Sequence, residues 1–240
     1  MMADELQADD SSSLKRPVQP QSSNSALTVD LALAQLKDPD LSPDTIEQIS
    51  RDAAAMNSRK VRSALAAHQH TPRRIALRLI RELYTFELMQ FALTPTAAAD
   101  LKRVAEELLV SRLNSITLGE RIALARRSST AIAGALLLDK EQPVWQPAME
   151  NARLTETAVI KALRRTTATP AFVEAVSYHP KWSVRNEVQI ALLRSAHTPM
   201  AKAIEFARRI PPRQLRDILH TSRLPETIKC YLRKEKEIGE

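Results

Sequence analysis

Glycine and cysteine are scarce in this chain of 240 residues. Only three glycines occur, whereas average usage of about 7% would give about seventeen. Strand-rich folds, hairpin turns and nucleotide-binding loops all use the conformational freedom of glycine, so the sequence favours none of them. The single cysteine, Cys230, excludes an intramolecular disulfide. We expect it to be buried, in a protein of the reducing cytoplasm.

The motifs of several common protein classes are also missing. The chain contains no GxGxxG, GxxxxGK[ST], HExxH or GxSxG pattern, and its five histidines do not group at metal-ligand spacing. The first residues are acidic and polar, and the longest apolar run, residues 131–138, is far shorter than the roughly 20 residues that cross a bilayer. We expect no secretory signal, membrane span, metal, cofactor or enzymatic activity.

Composition and charge divide the chain into two parts. Residues 1–25 are rich in Ser, Gln, Asp and Pro and are predicted to form a disordered acidic tail, because they cannot bury enough apolar surface to offset the entropy of ordering. Residues 26–240 are predicted to form one α-helical repeat domain. Residues 1–50 carry nine acidic and three basic side chains, a net charge of −6, which leaves +13 on residues 51–240 because the whole chain carries +7. We hypothesise that the acidic part folds back on the basic part.

Ser-Pro and Thr-Pro pairs predict where helices begin. A hydroxyl at the N-cap accepts a free backbone N–H, and proline is tolerated at the first helical position. After Pro199, apolar residues recur at helical spacing, from Met200 through Ala203 and Ala207 to Ile210. The pairs are Ser42-Pro43, Thr71-Pro72, Thr94-Pro95, Thr169-Pro170 and Thr198-Pro199.

A nine-residue cassette recurs four times without gaps, at residues 64–72, 123–131, 162–170 and 191–199. Each copy begins with Ala-Leu and has Thr at its eighth position. We interpret each copy as the end of one helix, a tight turn and the start of the next helix. The fold class predicted from this repetition is all-α, an α-solenoid of stacked antiparallel helix pairs with about twelve to fifteen helices.

The residues that carry the repetition also resemble a known family. The sequence Val-Arg-Ser-Ala-Leu at residues 61–65 resembles the second helix of HEAT-like repeats, and so does His-Pro-Lys-Trp-Ser-Val-Arg at residues 179–185 followed by Ala191-Leu192. Residues 118–225 are similar to bacterial HEAT-like proteins related to leucine-rich-repeat variants. The resemblance, which covers most of residues 40–236, implies an architecture rather than an activity.

Arginines at matching cassette positions predict a partner-binding surface. Arg126, Arg165 and Arg194 fall at the same cassette position, just before the turn, and stacking would line them into a ladder along one edge. We predict a non-enzymatic, monomeric scaffold that binds a protein partner, with an acidic protein as the candidate. The residues predicted to bind it are Arg73, Arg74, Arg126, Arg127, Arg164, Arg165, Arg194, Arg208, Arg209 and Trp182.

Two other functions stay open. A basic stripe also fits a sequence-independent nucleic-acid-binding protein, although aromatic residues make up only 4% of the chain and leave few stacking platforms. Some HEAT-like solenoids are DNA glycosylases that use aromatic and acidic residues in a concave groove. Trp145 and Trp182 are the only tryptophans here and no acid matches the catalytic position, so a glycosylase is the least favoured function.

Overall fold

The computed structural model describes residues 27–238, and every regular element in this range is a helix. The predicted acidic tail, residues 1–25, lies outside the described residues, as do residues 26, 239 and 240. The described range contains sixteen helices, slightly more than the number predicted. They are α1 (Val29–Gln35), α2 (Pro43–Arg51), α3 (Ala53–Asn57), α4 (Arg59–Ala67), α5 (Arg73–Glu82), α6 (Thr85–Leu93), α7 (Ala99–Arg112), α8 (Leu118–Arg127), α9 (Thr130–Leu136), α10 (Gln142–Met149), α11 (Glu156–Leu163), α12 (Pro170–Tyr178), α13 (Asn186–Arg194), α14 (Met200–Arg208), α15 (Pro212–His220) and α16 (Glu226–Ile238).

Two of the five predicted hydroxyl-proline starts are confirmed. Ser42 and Thr169 are N-cap residues whose side-chain oxygens accept the backbone N–H three positions on, at 3.2 and 3.3 Å. A proline follows each of them as the first helical residue. These caps fix the starts of α2 and α12 because each satisfies one of the free N–H groups of the first turn.

Thr71 and Thr198 have a different role from the predicted one. The proline after each threonine is the N-cap residue, and the threonine hydroxyl makes no cap bond. Instead, the two buried hydroxyls donate to the carbonyls of Leu65 and Leu192, six residues earlier, at 2.6 Å in both cases. The predicted capping is therefore wrong here, because the hydroxyl ties the turn to the end of the preceding helix.

The predicted helix start at Thr94-Pro95 is also wrong. Thr94 is the C-cap residue of α6, and its hydroxyl donates to the carbonyl of Gln90 at 2.8 Å. The next helix, α7, begins only at Ala99. The pair lies in the connection between the helices because the hydroxyl bonds back to the last turn of α6.

All four cassettes lie at bends between consecutive helices. Each begins near the end of one helix and reaches the start of the next, joining α4 to α5, α8 to α9, α11 to α12, and α13 to α14. The leucine at the second cassette position is at most 1% exposed in every copy: Leu65, Leu124, Leu163 and Leu192. The interpretation of the cassette as a helix–turn–helix unit is confirmed.

Helices two apart in chain order pack side by side. One row contains α4, α6, α8 and α10, and a second row contains α5, α7, α9, α11, α13 and α15. Consecutive helices such as α4 and α5, or α8 and α9, pack across the two rows. Within the described range, every pair of helices in extensive contact is separated by at most three positions in chain order. Each helix therefore buries its apolar face against near neighbours in sequence.

Side chains from one turn bond to helix ends about one helix pair earlier. The Nε1–H of Trp182 donates to the carbonyl of Met149 at 3.0 Å, and the hydroxyl of Ser222 donates to the carbonyl of Leu193 at 2.6 Å. The guanidinium of Arg112 donates to the carbonyls at the end of α5. Carbonyls in the last turn of a helix lack intrahelical partners, so these bonds both satisfy them and fix the neighbouring turns.

Cys230 is exposed, and the prediction of a buried cysteine is wrong. It lies in α16, the last helix of the described range, which contacts α14 and α15. Leu232 in the same helix is buried. Because α16 has no following helix among the described residues, the face that carries Cys230 stays open to solvent.

Candidate functional site

Three helices of the second row, α11, α13 and α15, end close together. The helices pack against one another in the order α11, α13, α15. Just after α15, the backbone N–H of Arg223 donates to the carbonyl of Arg194 at 3.1 Å, and its guanidinium donates to the carbonyl of Arg164 at 3.3 Å. Arg165 follows Arg164 in the turn after α11. We call Arg164, Arg165, Arg194 and Arg223 the arginine cluster.

The arginine cluster has no neutralising partner among residues 27–235, the range over which the structure describes side chains. None of its four guanidinium groups forms an ion pair with a carboxylate of this range. The side chains of Arg164, Arg165 and Arg223 are exposed. Arg194 is half-buried, and its buried Nε atom has no hydrogen-bond partner. The partial negative charge at the ends of the three helices eases the crowding of these cations but does not cancel four full charges. The cluster can therefore bind an anionic ligand.

Arg223 was not among the predicted residues, although the sequence contained a signal for it. Arg165, Arg194 and Arg223 are spaced by 29 residues each, which is also the interval between the last two cassettes. Arg223 does not belong to a cassette, since His220-Thr221 stands where each cassette has Ala-Leu. The 29-residue interval, extended once more, would have found it.

The predicted ladder of Arg126, Arg165 and Arg194 is broken at Arg126. The start of α9 bonds to the turn before α11. Farther along both helices, a Cβ built on Gly134 of α9 would lie 3.3 Å from the Cβ of Ala158 of α11. The two contacts follow the same order in both helices, so α9 and α11 run parallel. Arg126 lies next to the start of α9, whereas Arg165 lies beyond its end. The length of α9, seven residues or about 10 Å, separates the two arginines. Arg126 and Arg127 therefore lie at the opposite end of the helices from the cluster.

Three other predicted arginines already have acidic partners. Their charges are neutralised locally, which makes them weaker attractors of an acidic ligand than the arginine cluster. These ion pairs join Arg73 to Asp100, Arg208 to Glu235 at 2.8 Å, and Arg209 to Glu205 at 3.0 Å.

Arg74 lies apart from the cluster, in a cleft between α2 and α5. It lines this cleft together with Arg51, Arg78 and the acidic Glu47. The ion pair between Arg51 and Glu47, at 2.8 Å, reduces the positive charge of the cleft. The predicted basic residues therefore form separate groups rather than one surface.

Trp182 cannot serve as the predicted contact with a partner. Its side chain is only 2% exposed, and its indole N–H donates to the carbonyl of Met149. The ammonium of Lys181 lies 4.4 Å from the ring centroid and covers the outer side. The prediction is wrong because the tryptophan fills the space between α10 and the turn after α12.

Three of the five histidines bond to nearby groups. His68 Nε2 lies 2.9 Å from the carbonyl of Asp38, and His70 Nδ1 lies 3.2 Å from that of Leu41. His179 Nε2 lies 2.9 Å from a carboxylate oxygen of Glu150. Over the described part of the chain, no three His, Cys, Asp or Glu side chains are grouped so that they could hold a metal ion.

No helix between residues 27 and 238 is both long enough and apolar enough to cross a membrane. Comparisons with protein-family models, curated proteins and solved structures found no match to this chain. The functional inference therefore rests on the residues of the chain itself.

Proposed function

We propose that the protein is a HEAT-like α-solenoid that serves as a non-enzymatic, monomeric scaffold and binds an acidic partner protein through the arginine cluster. The observation that carries this proposal is the presence of four adjacent arginines without a carboxylate partner in residues 27–235. A cytoplasmic location is part of the proposal, since a single exposed cysteine is best preserved in a reducing compartment.

The pattern of helix contacts supports the solenoid. In a solenoid each repeat contacts only its neighbours, and stacking buries the faces that one helix pair leaves open. Here, extensive contacts are confined to helices close in chain order, and the four cassettes each form a bend between consecutive helices. The bonds between successive turns, from Arg112 to the end of α5 and from Ser222 to the end of α13, follow the same order.

The geometry of the arginine cluster supports an acidic ligand. A guanidinium offers five N–H donors in a planar fork that matches a carboxylate. The backbone N–H of Arg223 donates to the carbonyl of Arg194, and its guanidinium donates to the carbonyl of Arg164, which brings the backbones of three of the four arginines together. A partner would therefore meet one guanidinium, that of Arg223, already held in place, which lowers the entropy lost on ordering that side chain.

Nucleic acid is the second candidate, because the same guanidinium groups also match phosphates. Against it, the most exposed aromatic side chains, Tyr84 at the start of α6 and Tyr178 at the end of α12, do not lie at the cluster. A single strand would find no stacking platform beside the arginines. Duplex binding would have to come from phosphate contacts alone.

Salt titration separates the two ligands. We would measure the affinity of the full chain for a labelled glutamate-rich peptide and for a labelled DNA duplex of arbitrary sequence, both by fluorescence anisotropy. If a duplex contacts all four arginines, its affinity should fall by about two orders of magnitude between 50 and 200 mM salt. We expect the peptide to bind more tightly than the duplex at physiological salt. Tighter binding of the duplex there would contradict the proposal and favour a nucleic-acid-binding protein.

A further inference from the structure

A groove on the second row of helices begins beside the arginine cluster. It has a volume of about 430 Å³ and lies over α7, α9 and α11. Apolar side chains form most of its surface, and Val110 on its wall is 38% exposed. The remaining apolar lining comes from Ala131, Ala135, Leu138, Ala158 and Ala162.

The charged groups of the groove are all positive. Lys161 and Arg165 line it, and no acidic side chain does. Neither Lys161 nor Arg165 forms an ion pair with a side chain of residues 27–235. Arg165 also belongs to the arginine cluster, so the apolar groove and the cationic site form one continuous surface.

We propose that this groove binds an acidic amphipathic helix of the partner protein. The apolar stripe of the helix would lie in the groove, and its carboxylates would meet Lys161 and Arg165. This inference rests on the proposed function and adds to it the kind of segment that the partner presents. Charge complementarity selects the occupant, because an apolar groove with only cationic charges favours a ligand that is both apolar and acidic.

The shape of the groove favours a helix over an extended strand. Gly134 and Ala158 allow α9 and α11 to approach closely while running parallel, and the small side chains beside them leave a trough along the two helix axes. A helix lies in such a trough with its side chains between the rows of the floor. An extended strand, in contrast, needs free backbone donors and acceptors at a sheet edge, which two intact helices do not offer.

A designed peptide tests the inference without knowledge of the natural partner. The probe is an amphipathic helix of about 14 residues, roughly 20 Å long, with leucines along one face and three glutamates in its first turn. A second peptide has lysines in place of the glutamates. We expect the full chain to bind the glutamate peptide about tenfold more tightly than the lysine peptide, as measured by fluorescence anisotropy. Equal affinities would overturn the inference.

Two substitutions test whether the helical peptide binds in the groove or elsewhere on the surface. Ala131→Leu fills the groove from an exposed position, so it should weaken binding of the glutamate peptide by about tenfold or more while leaving the circular dichroism spectrum unchanged. Ala171→Leu, at an exposed position of α12 outside the groove, is the matched control and should leave affinity unchanged. Unchanged affinity in the Ala131→Leu variant would overturn the inference.

The double substitution Arg164→Glu and Arg194→Glu distinguishes failure of the groove from failure of the proposed function. If it abolishes binding of a plain glutamate-rich peptide while Ala131→Leu has no effect on the helical probe, the groove inference fails and the arginine cluster stands. If neither change affects either peptide, both fail. Loss of binding in both cases supports the two together.

One competing occupant is the acidic segment of the chain itself. Asp4, Glu5, Asp9 and Asp10 precede the described residues. Replacing them with the corresponding amides should leave the affinity of the helical probe unchanged if the groove receives a partner. An increase of about tenfold or more would show that this segment competes for the groove, and it would overturn the assignment to a partner.

Discussion

The two matching threonine bonds predict equal and additive effects on stability. Thr71 and Thr198 each donate a buried hydrogen bond of 2.6 Å to the carbonyl of the cassette leucine. Threonine to valine keeps the shape of the side chain and removes the donor. Each leucine carbonyl also accepts a backbone N–H, at 3.3 Å in the first cassette and 2.9 Å in the fourth, so neither carbonyl is left without a partner.

We therefore expect each substitution to cost about 1 kcal/mol, the net value of an ordinary hydrogen bond, rather than the larger cost of a buried orphan. The two positions are distant and share no partner, so the double variant should lose about 2 kcal/mol. Urea unfolding followed by circular dichroism measures this. With an m value of about 2 kcal/mol/M, each single change lowers the midpoint by about 0.5 M.

Thr221→Val is the control, because its exposed hydroxyl lies 3.2 Å from the carbonyl of Ile218 and contributes little. We expect a change of less than about 0.5 kcal/mol there. If Thr198→Val left the free energy of unfolding unchanged while Thr71→Val lowered it, the two threonine bonds would not be equivalent.

Three further predictions concern single residues. Trp182→Ala should lower the free energy of unfolding by about 3–5 kcal/mol through the cavity it leaves. Trp182→Phe should lower it by about 1–3 kcal/mol because the Met149 carbonyl loses its donor. If urea unfolding found no change for Trp182→Ala, that result would contradict the burial of the side chain. Backbone N–H groups of Ala55 and Leu27 lower the pKa of Asp52 below its ordinary value of 3.8. The Asp52 carboxylate therefore contributes to stability above pH 3.8, and this contribution is lost as the pH falls through the lowered pKa. The difference in the free energy of unfolding between the native chain and Asp52→Ala should shrink over that fall in pH. A gap independent of pH would be evidence against this. Cys230 should react with a thiol reagent in the native state as fast as in urea, and a protected thiol would contradict its exposure.

Helical architecture and the bends could be predicted from the sequence because both depend on local chemistry. Apolar residues at helical spacing and the Ala-Leu start of each cassette locate the ends of the helices. The role of a hydroxyl before proline could not be predicted in the same way. Ser42 caps the following helix, whereas Thr71 bonds to the preceding one, and the choice depends on which free group the folded chain brings within reach.

The interrupted arginine ladder has a topological cause. Cassettes 59 residues apart are separated by four helices, so both lead from the first row to the second. The next interval, 39 residues, contains three helices and places the following bend at the opposite end of the rows. Equal positions within a cassette therefore do not guarantee that Arg126 and Arg165 share an edge.

Burial was the other feature that the sequence left undetermined. A tryptophan after a histidine-proline turn could face a partner or fill a gap between helices, and the Met149 carbonyl that holds Trp182 is 33 residues away in the chain. Cys230 is exposed because α16 packs on one side only, a property of its place in the array rather than of its neighbours in sequence.

A charge-reversal experiment with a matched control tests the central claim most directly. Arg164→Glu with Arg194→Glu changes the arginine cluster, and Arg126→Glu with Arg127→Glu changes the net charge equally at the opposite end of the helices. Each charged hydrogen bond contributes about 1.5–3 kcal/mol, so the first pair should weaken binding of the glutamate-rich peptide by about a hundredfold or more, and the second pair by less than about threefold. Equal losses in the two variants would mean that overall charge, and not a defined site, attracts the ligand.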